Sequence, residues 1–261
     1  MNKNTVVVYC TYERSLEGGY LHNLEQYKQE IGENLSLMFD NKTKVALEKL
    51  QETYKVPITT YTPEEFAEHN FNRPIDLRHR WGSHQNPNYF YAHFRMLLFY
   101  LKNPGYDFYW FFDDDVFFQG SLKELLDGYE NYNVDFLSIQ GFKKEDYSEL
   151  PHVSQVNERM LGSHGNWLSL APGPGDQYKS IEKHLGCFFP VVRFSNRAMA
   201  HLVELNKQNY YGYSEGFVPT SLASDGYTVA SMLDEWDKYF VPHNSSCTLI
   251  HKNIPFTWSW I

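Results

Sequence analysis

Strand-like and helix-like segments alternate along the first half of the chain, and this predicts an α/β fold on a central, largely parallel sheet. Three β-rich runs carry the prediction: Val6–Cys10, Ile58–Tyr61 and the almost wholly apolar Tyr106–Phe112. Between them lie stretches whose apolar residues recur at helical spacing.

In order, Val6–Cys10 is a buried first strand followed by a polar turn, Thr11–Ser15. Leu21, Leu24, Tyr27 and Ile31 then mark one face of a helix. A second helix is expected over Val45–Tyr54, ended by Pro57, and Ile58–Tyr61 reads as the second strand. Thr62 and Pro63 open a short helix, with Thr as N-cap and Pro at the first helical position. Arg73–Asn88, with Pro74, Gly82 and Pro87, reads as a loop. Asn88–Asn103 is a helix with Phe90, Tyr91, Phe94, Leu97, Leu98 and Leu101 on one stripe, stopped by Pro104-Gly105. Tyr106–Phe112 has no polar face, as expected of a central strand buried on both sides.

The second half is less regular. Lys143–Leu185 carries Gly162, Gly165, Pro172, Gly173, Pro174 and Gly175, and is expected to be a mobile excursion over a site. A helix capped by Ser195 runs to Lys207, Glu215–Ser224 forms another, and Thr248–His251 is a last short strand. No internal repeat or low-complexity linker divides the 261 residues, so one domain is expected.

Composition narrows the function. The net charge is −9 with no Lys/Arg run, which argues against nucleic acid and against an anionic membrane surface as partners. Aromatics reach 17 %, enough both to fill a core and to stack on sugar rings or bases. The three cysteines form no CxxC pair, which favours a reducing, cytoplasmic setting over a disulfide or zinc framework. The apolar run at the N-terminus is too short for a signal-peptide core or a membrane span.

The segment that carries chemistry is YDFYWFFDDDVFFQGSL, Tyr106–Leu122. An apolar strand ends in Asp113, Asp114 and Asp115, and Val116, Phe117 and Phe118 follow at once. Adjacent carboxylates at the tip of a buried strand repel one another and lose solvation. A divalent cation is the simplest compensation, and hard oxygen ligands suit Mg²⁺ or Mn²⁺ rather than zinc. The alternative is a solvated acidic turn, which the apolar residues on both sides disfavour. There is no P-loop, no GxGxxG after the first strand, no GxSxG elbow and no HExxH helix.

The apolar strand, the DDD run and the apolar residues after it resemble the DxD motif of GT-A fold glycosyltransferases. VVVYCTY, residues 6–12, matches the place where that fold begins its nucleotide-binding half. The resemblance implies a GT-A-like domain over residues 1–261, with a mixed, mostly parallel sheet flanked by helices. Residues 1–120 would bind the nucleotide-sugar and metal, and residues 121–261 the acceptor. It implies Asp115 as main ligand for Mn²⁺ or Mg²⁺, Asp113 on the metal or ribose, Asp114 as helper, and a late His ligand. His251 is the candidate for that ligand, with His243 second.

By the same resemblance, the run from Ser214 to Thr220 is similar to the acidic segment before a helix in inverting GT-A enzymes. Glu215 would be the general base, with Ser214 as cap and Asp225 second choice. The structural alternative for Glu215 is that it complements a helix dipole. Donor contacts fall on Thr11, Tyr12, Arg80, Arg95 and Gly186. His93 and Arg95 share the helix before the DDD strand, and a planar guanidinium there suits a diphosphate. A surface ion pair is the alternative for Arg95. Gly186 permits close backbone approach to a sugar. His164, Trp167 and Tyr178 are candidates for an acceptor lid.

The expected activity is transfer of a sugar from UDP-hexose or UDP-galactofuranose to a glycan or lipid-linked glycan hydroxyl. A retaining enzyme of the same fold, in which Glu215 contacts the acceptor, stays open. A nucleotidyltransferase would release pyrophosphate. A non-catalytic glycan-binding module would bind sugar after EDTA treatment or Asp115→Ala.

Overall fold

The structure is a computed structural model that describes residues 4–11, 24–40, 44–72, 91–113, 116–118, 120–138, 187, 189–212, 214–232 and 240–242. The strands among them are β1 (Thr5–Thr11), β2 (Leu35–Asp40), β3 (Ile58–Tyr61), β4 (Phe108–Asp113), β5 (Val116–Phe118), β6 (Phe136–Ser138), β7 (Val191–Ser195), β8 (Val229–Ser231) and β9 (Phe240–Pro242). The helices are α1 (Leu24–Ile31), α2 (Lys44–Tyr54), α3 (Pro63–Glu68), α4 (Ala92–Lys102), α5 (Leu122–Gly128), α6 (Asn196–Lys207) and α7 (Ser214–Ser224).

Seven strands form one sheet in the order β3-β2-β1-β4-β7-β6-β8, and β5 pairs with β9 in a separate antiparallel ribbon. The pairs β3–β2, β2–β1, β1–β4 and β6–β8 are parallel, whereas β7 is antiparallel to both neighbours. This is the mixed, mostly parallel α/β architecture that the alternating pattern predicts, with strands from both halves of the chain in one sheet.

Two cores clothe the two faces, as strand alternation requires. Val6, Val8, Cys10, Tyr109 and Phe111 pack with α4, α6 and α7. Val7, Tyr9, Trp110 and Phe112 face the other way, onto α1, α2 and α5. Central β4 is therefore buried on both sides, as its uninterrupted apolar run implies.

The local signals at helix ends hold. Thr62 and Glu65 form a reciprocal capping box with Pro63 in the first turn, and Ser195 accepts from Ala198 N at the head of α6. Two expectations need correction. Leu35–Asp40 is a strand, so Ile58–Tyr61 is third in chain order rather than second. A three-residue 3₁₀ turn, Gly32–Asn34, is all that separates α1 from β2, and Gly32 at φ 56° takes the reversal. The stripe predicted for α4 is also too narrow: every residue from Ala92 to Phe99 is buried, because sheet, α6 and α7 enclose the helix. The predicted excursion at 143–185 and the strand at 248–251 lie outside the described residues.

Candidate active site at the carboxyl edge of the sheet

In an open α/β sheet, ligands bind beyond the carboxyl ends of parallel strands. Thr11 and Asp113 end β1 and β4 at that edge, with Cys10 level with Asp113 across the pair. Ser138 ends β6 there, and antiparallel β7 begins there, so the approach segment through Cys187 and Pro190 reaches the same edge.

Asp113 lies on the same face of β4 as Tyr109 and Phe111, towards α4. There the Arg95 guanidinium donates from Nη2 to Asp113 Oδ1. The Arg95 side chain is only 3 % exposed and Asp113 28 %, so the cation is sunk in the core and the carboxylate is the member that reaches the surface. Neither a surface ion pair nor an outward-reaching phosphate ligand describes this arginine. An ionised carboxylate has about four acceptor sites, more than a single guanidinium bond uses.

Glu215 is the second residue of α7 and half-buried. The residue before it, Ser214, is buried; its Oγ accepts from His93 N at 3.2 Å and lies 2.8 Å from His93 Nδ1. Ser214 is thus engaged with α4. Burial pushes the His93 imidazole down to about 3, so the ring is neutral. Ser214 Oγ, which accepts from His93 N, thus also lies within hydrogen-bond reach of the neutral ring at Nδ1.

A second connection runs on the other side. Cys187 N donates to Glu215 O at 2.9 Å, and Asp113 N donates to Pro190 O at 2.8 Å. The Cys187 thiol is buried and pushed well up, first by burial and then by the nearby Glu215 charge, against a hydrogen bond with Ser138. Glu215 therefore sits at the carboxyl end of β6.

These links close into a ring. Asp113 is tied through Arg95 and His93, two residues apart on α4, to Ser214 and Glu215. Glu215 is tied through Cys187 and Pro190 back to Asp113. The second path spans three residues, at most about 10 Å of chain. Two acidic residues from distant parts of the sequence are thereby tied, through main chain and neighbours, to one edge of the sheet.

The other candidates fall differently. Thr11 is buried, and its Oγ1 donates to Met38 O at 2.9 Å, which turns the hydroxyl into the sheet. Asp225 lies beyond the far end of α7 and meets His201 Nε2 at 2.8 Å. Ten residues of helix rise about 15 Å, so Asp225 and Glu215 do not share a site. Tyr12, Arg80, Asp114, Asp115, His164, Trp167, Tyr178, Gly186, His243 and His251 lie outside the described residues.

Among the described residues no cluster of three or more His, Cys, Asp or Glu is placed to hold a metal ion. Asp113 fits a hard divalent cation by chemistry and position, as an oxygen donor at the strand end. The links that sequence reading missed are His93–Ser214 and the two main-chain bonds of the 187–190 segment. The pair of polar residues, His93 and Arg95, inside an otherwise apolar helical run was the one available signal.

No family model matches the chain, and no curated protein matches it. Among solved structures it is similar to the galactosyltransferase LgtC in complex with donor and acceptor sugar analogues, at 11% identity and TM-score 0.48, covering 87% of this chain and 73% of that one. It is similar to the mannosyltransferase PcManGT of Pyrobaculum calidifontis with GDP-Man and Mn²⁺, at 12% identity and TM-score 0.43, covering 90% of this chain and 56% of that one. It is also similar to a Bacillus anthracis protein described as a glucose-1-phosphate thymidylyltransferase, in complex with a sucrose, at 7% identity and TM-score 0.46, covering 88% and 87%. At such identities the likeness concerns the course of the chain alone. No described helix is long and apolar enough to cross a membrane.

Proposed function

We propose that this chain is a metal-dependent glycosyltransferase that moves a sugar from a nucleotide-sugar to a glycan hydroxyl. The observation that carries the reading is the ring that holds Asp113 and Glu215 together at the carboxyl edge of the sheet. A carboxylate for a cation and a half-buried carboxylate for a proton are the two groups that this transfer requires.

Asp113, Asp115 and His251 would hold Mn²⁺ or Mg²⁺, and a bound divalent cation offsets charge on the departing diphosphate. Arg95 fixes the Asp113 carboxylate from beneath and balances its charge. Glu215 accepts the proton of the acceptor hydroxyl, whose oxygen attacks the anomeric carbon with inversion while the nucleoside diphosphate leaves. The donor reading is UDP-hexose or UDP-galactofuranose, with Thr11, Tyr12, Arg80, Asp114 and Gly186 on the donor side. His164, Trp167 and Tyr178 serve the acceptor, a glycan or lipid-linked glycan. Residues 1–261 act as one domain in the cytoplasm, a reducing setting that suits the buried Cys10 and Cys187 thiols.

The test is a panel of UDP-glucose, UDP-galactose, UDP-galactofuranose and GDP-mannose with Mn²⁺, read as thermal stabilisation and slow release of free nucleoside diphosphate. Glu215→Gln is expected to lower turnover about 10²- to 10⁴-fold while nucleotide binding persists. Pyrophosphate release from a nucleoside triphosphate and sugar phosphate would replace this reading with nucleotidyl transfer. Sugar binding that survives both EDTA and Asp115→Ala would replace it with a lectin-like module.

A further inference from the structure

The reading above leaves His93 without a role, although it is a fully buried polar side chain on a helix that is otherwise apolar there apart from Arg95. Burying an imidazole costs free energy unless its polar atoms are bonded. The bond it makes is to the residue immediately before Glu215. The His93 main chain and ring both engage Ser214 Oγ, at 3.2 and 2.8 Å. The ring also packs against Phe217, with centroids 5.9 Å apart, so it touches the first turn of α7 at two points. α4 is a rigid mount for this contact, because Arg95 anchors it to the end of β4 through Asp113.

We infer that His93 is a positioning residue: through Ser214 it fixes the first turn of α7, and with it the Glu215 carboxylate, relative to the Asp113 end of β4. This rests on the proposal that Glu215 is the base. The physical reason is geometric. A base must stay within hydrogen-bond reach of the proton it removes, and a displacement of about 1 Å is enough to cost on the order of 10²-fold in rate. Ser214 supplies a hydroxyl that can accept and donate at once, so a single side chain joins two helices with two bonds.

The experiment compares His93→Phe, His93→Asn and Ser214→Ala with the wild-type chain. Phe keeps the bulk and the contact with Phe217 but removes the ring nitrogen, whereas Asn places an acceptor oxygen close to the position of Nδ1. With Mn²⁺ and the UDP-sugar from the donor panel that turns over, His93→Phe and Ser214→Ala are expected to lower kcat tenfold or more, with donor KM within about twofold of wild type. His93→Asn is expected to recover most of that loss. The double variant is expected to be no worse than Ser214→Ala alone, because that substitution already removes both bonds to Oγ, from the ring and from the His93 main chain. Amide exchange is read alongside: the peptide covering residues 214–217 should exchange faster in His93→Phe and be restored in His93→Asn. Wild-type kcat in a folded His93→Phe protein would overturn the positioning role while leaving the transferase reading intact. A loss in His93→Asn equal to that in His93→Phe would also overturn it, as it would show packing rather than the hydrogen bond at work. Absence of donor turnover by the wild-type chain would overturn the base reading, and this role with it.

Discussion

Two aspartate–arginine pairs sit at opposite edges of the sheet, and they are built in opposite ways. Asp113, at the carboxyl end of β4, is the more exposed partner of an arginine that is 3 % exposed. Asp135, just before β6, is 4 % exposed and its partner Arg197 is 65 % exposed. Burial would raise Asp135, but donors from Arg197, Thr228 and Ser195 outweigh it and hold the carboxyl down at about 2. Its oxygens accept from Ser195 Oγ at 2.8 Å, Arg197 Nε at 2.6 Å, Thr228 N at 2.9 Å and Thr228 Oγ1 at 2.8 Å, as well as from Arg197 Nη2. Asp135 thus joins the entry to β6, the head of α6 and the entry to β8. The lesson is one of direction: an acid enclosed by donors is a joint, whereas a buried cation leaves its acid as the more exposed partner.

That contrast can be broken most directly at Asp113. Asp113→Asn is expected to lower metal-dependent donor turnover on the order of 10³-fold, measured as release of nucleoside diphosphate. Its melting temperature should shift less than that of Asp135→Asn. The contrast fails if the two variants trade effects.

Asp135→Asn is expected to cost about 2–3 kcal/mol at pH 7, read by urea unfolding. The folded pKa lies below the unfolded one, so this stability is present above about pH 4 and is lost as pH falls towards 2. The gap between variant and wild type should close over that interval, with turnover of the folded variant preserved.

The site edge should give way to acid earlier. His93 is buried and neutral, with its folded pKa about 3 against about 6.5 unfolded, so the unfolded chain takes up the proton first. Its contribution is complete above about pH 6.5, and about 2 kcal/mol of it should be gone at pH 5. His93→Asn, which has no proton to gain there, should flatten this part of the stability profile. An unchanged slope between pH 7 and 5 would refute the buried neutral ring.

The smallest effect is expected at Arg197, the exposed member of the structural pair. Arg197→Ala should lower the melting temperature less than Asp135→Asn and leave turnover untouched, because Ser195 and Thr228 still serve the acid.

Much of the frame was legible in the sequence because its signals are local. The apolar run of β4 and the carboxylate that ends it, the Thr62 capping box and the Ser195 cap can each be read within a few residues. β2 was missed because LSLMFD directly follows a helix across a three-residue turn and has no clear alternation. β6 and β8, at three residues each, are too short for any period to register. β7 was hidden by Arg193, which looks like a surface residue in the sequence. In the fold its guanidinium lies 4.3 Å from the Phe108 ring centroid and donates to Tyr132 O and Val134 O at 2.7 and 3.0 Å. Burial lowers it to about 10, so it still carries its charge.

The sequence by itself determined that an apolar strand would end in acids, because hydrophobicity and charge along a strand are set residue by residue. Only the tertiary structure decided that Arg95 would turn inward to Asp113, that Ser214 would bond His93, and that Glu215 would stand at the same edge while Asp225 stood at another. Those choices depend on which strands become neighbours and which helix is enclosed between them. Side chains more than a hundred residues apart find each other through the packing of the whole sheet, which no local pattern encodes.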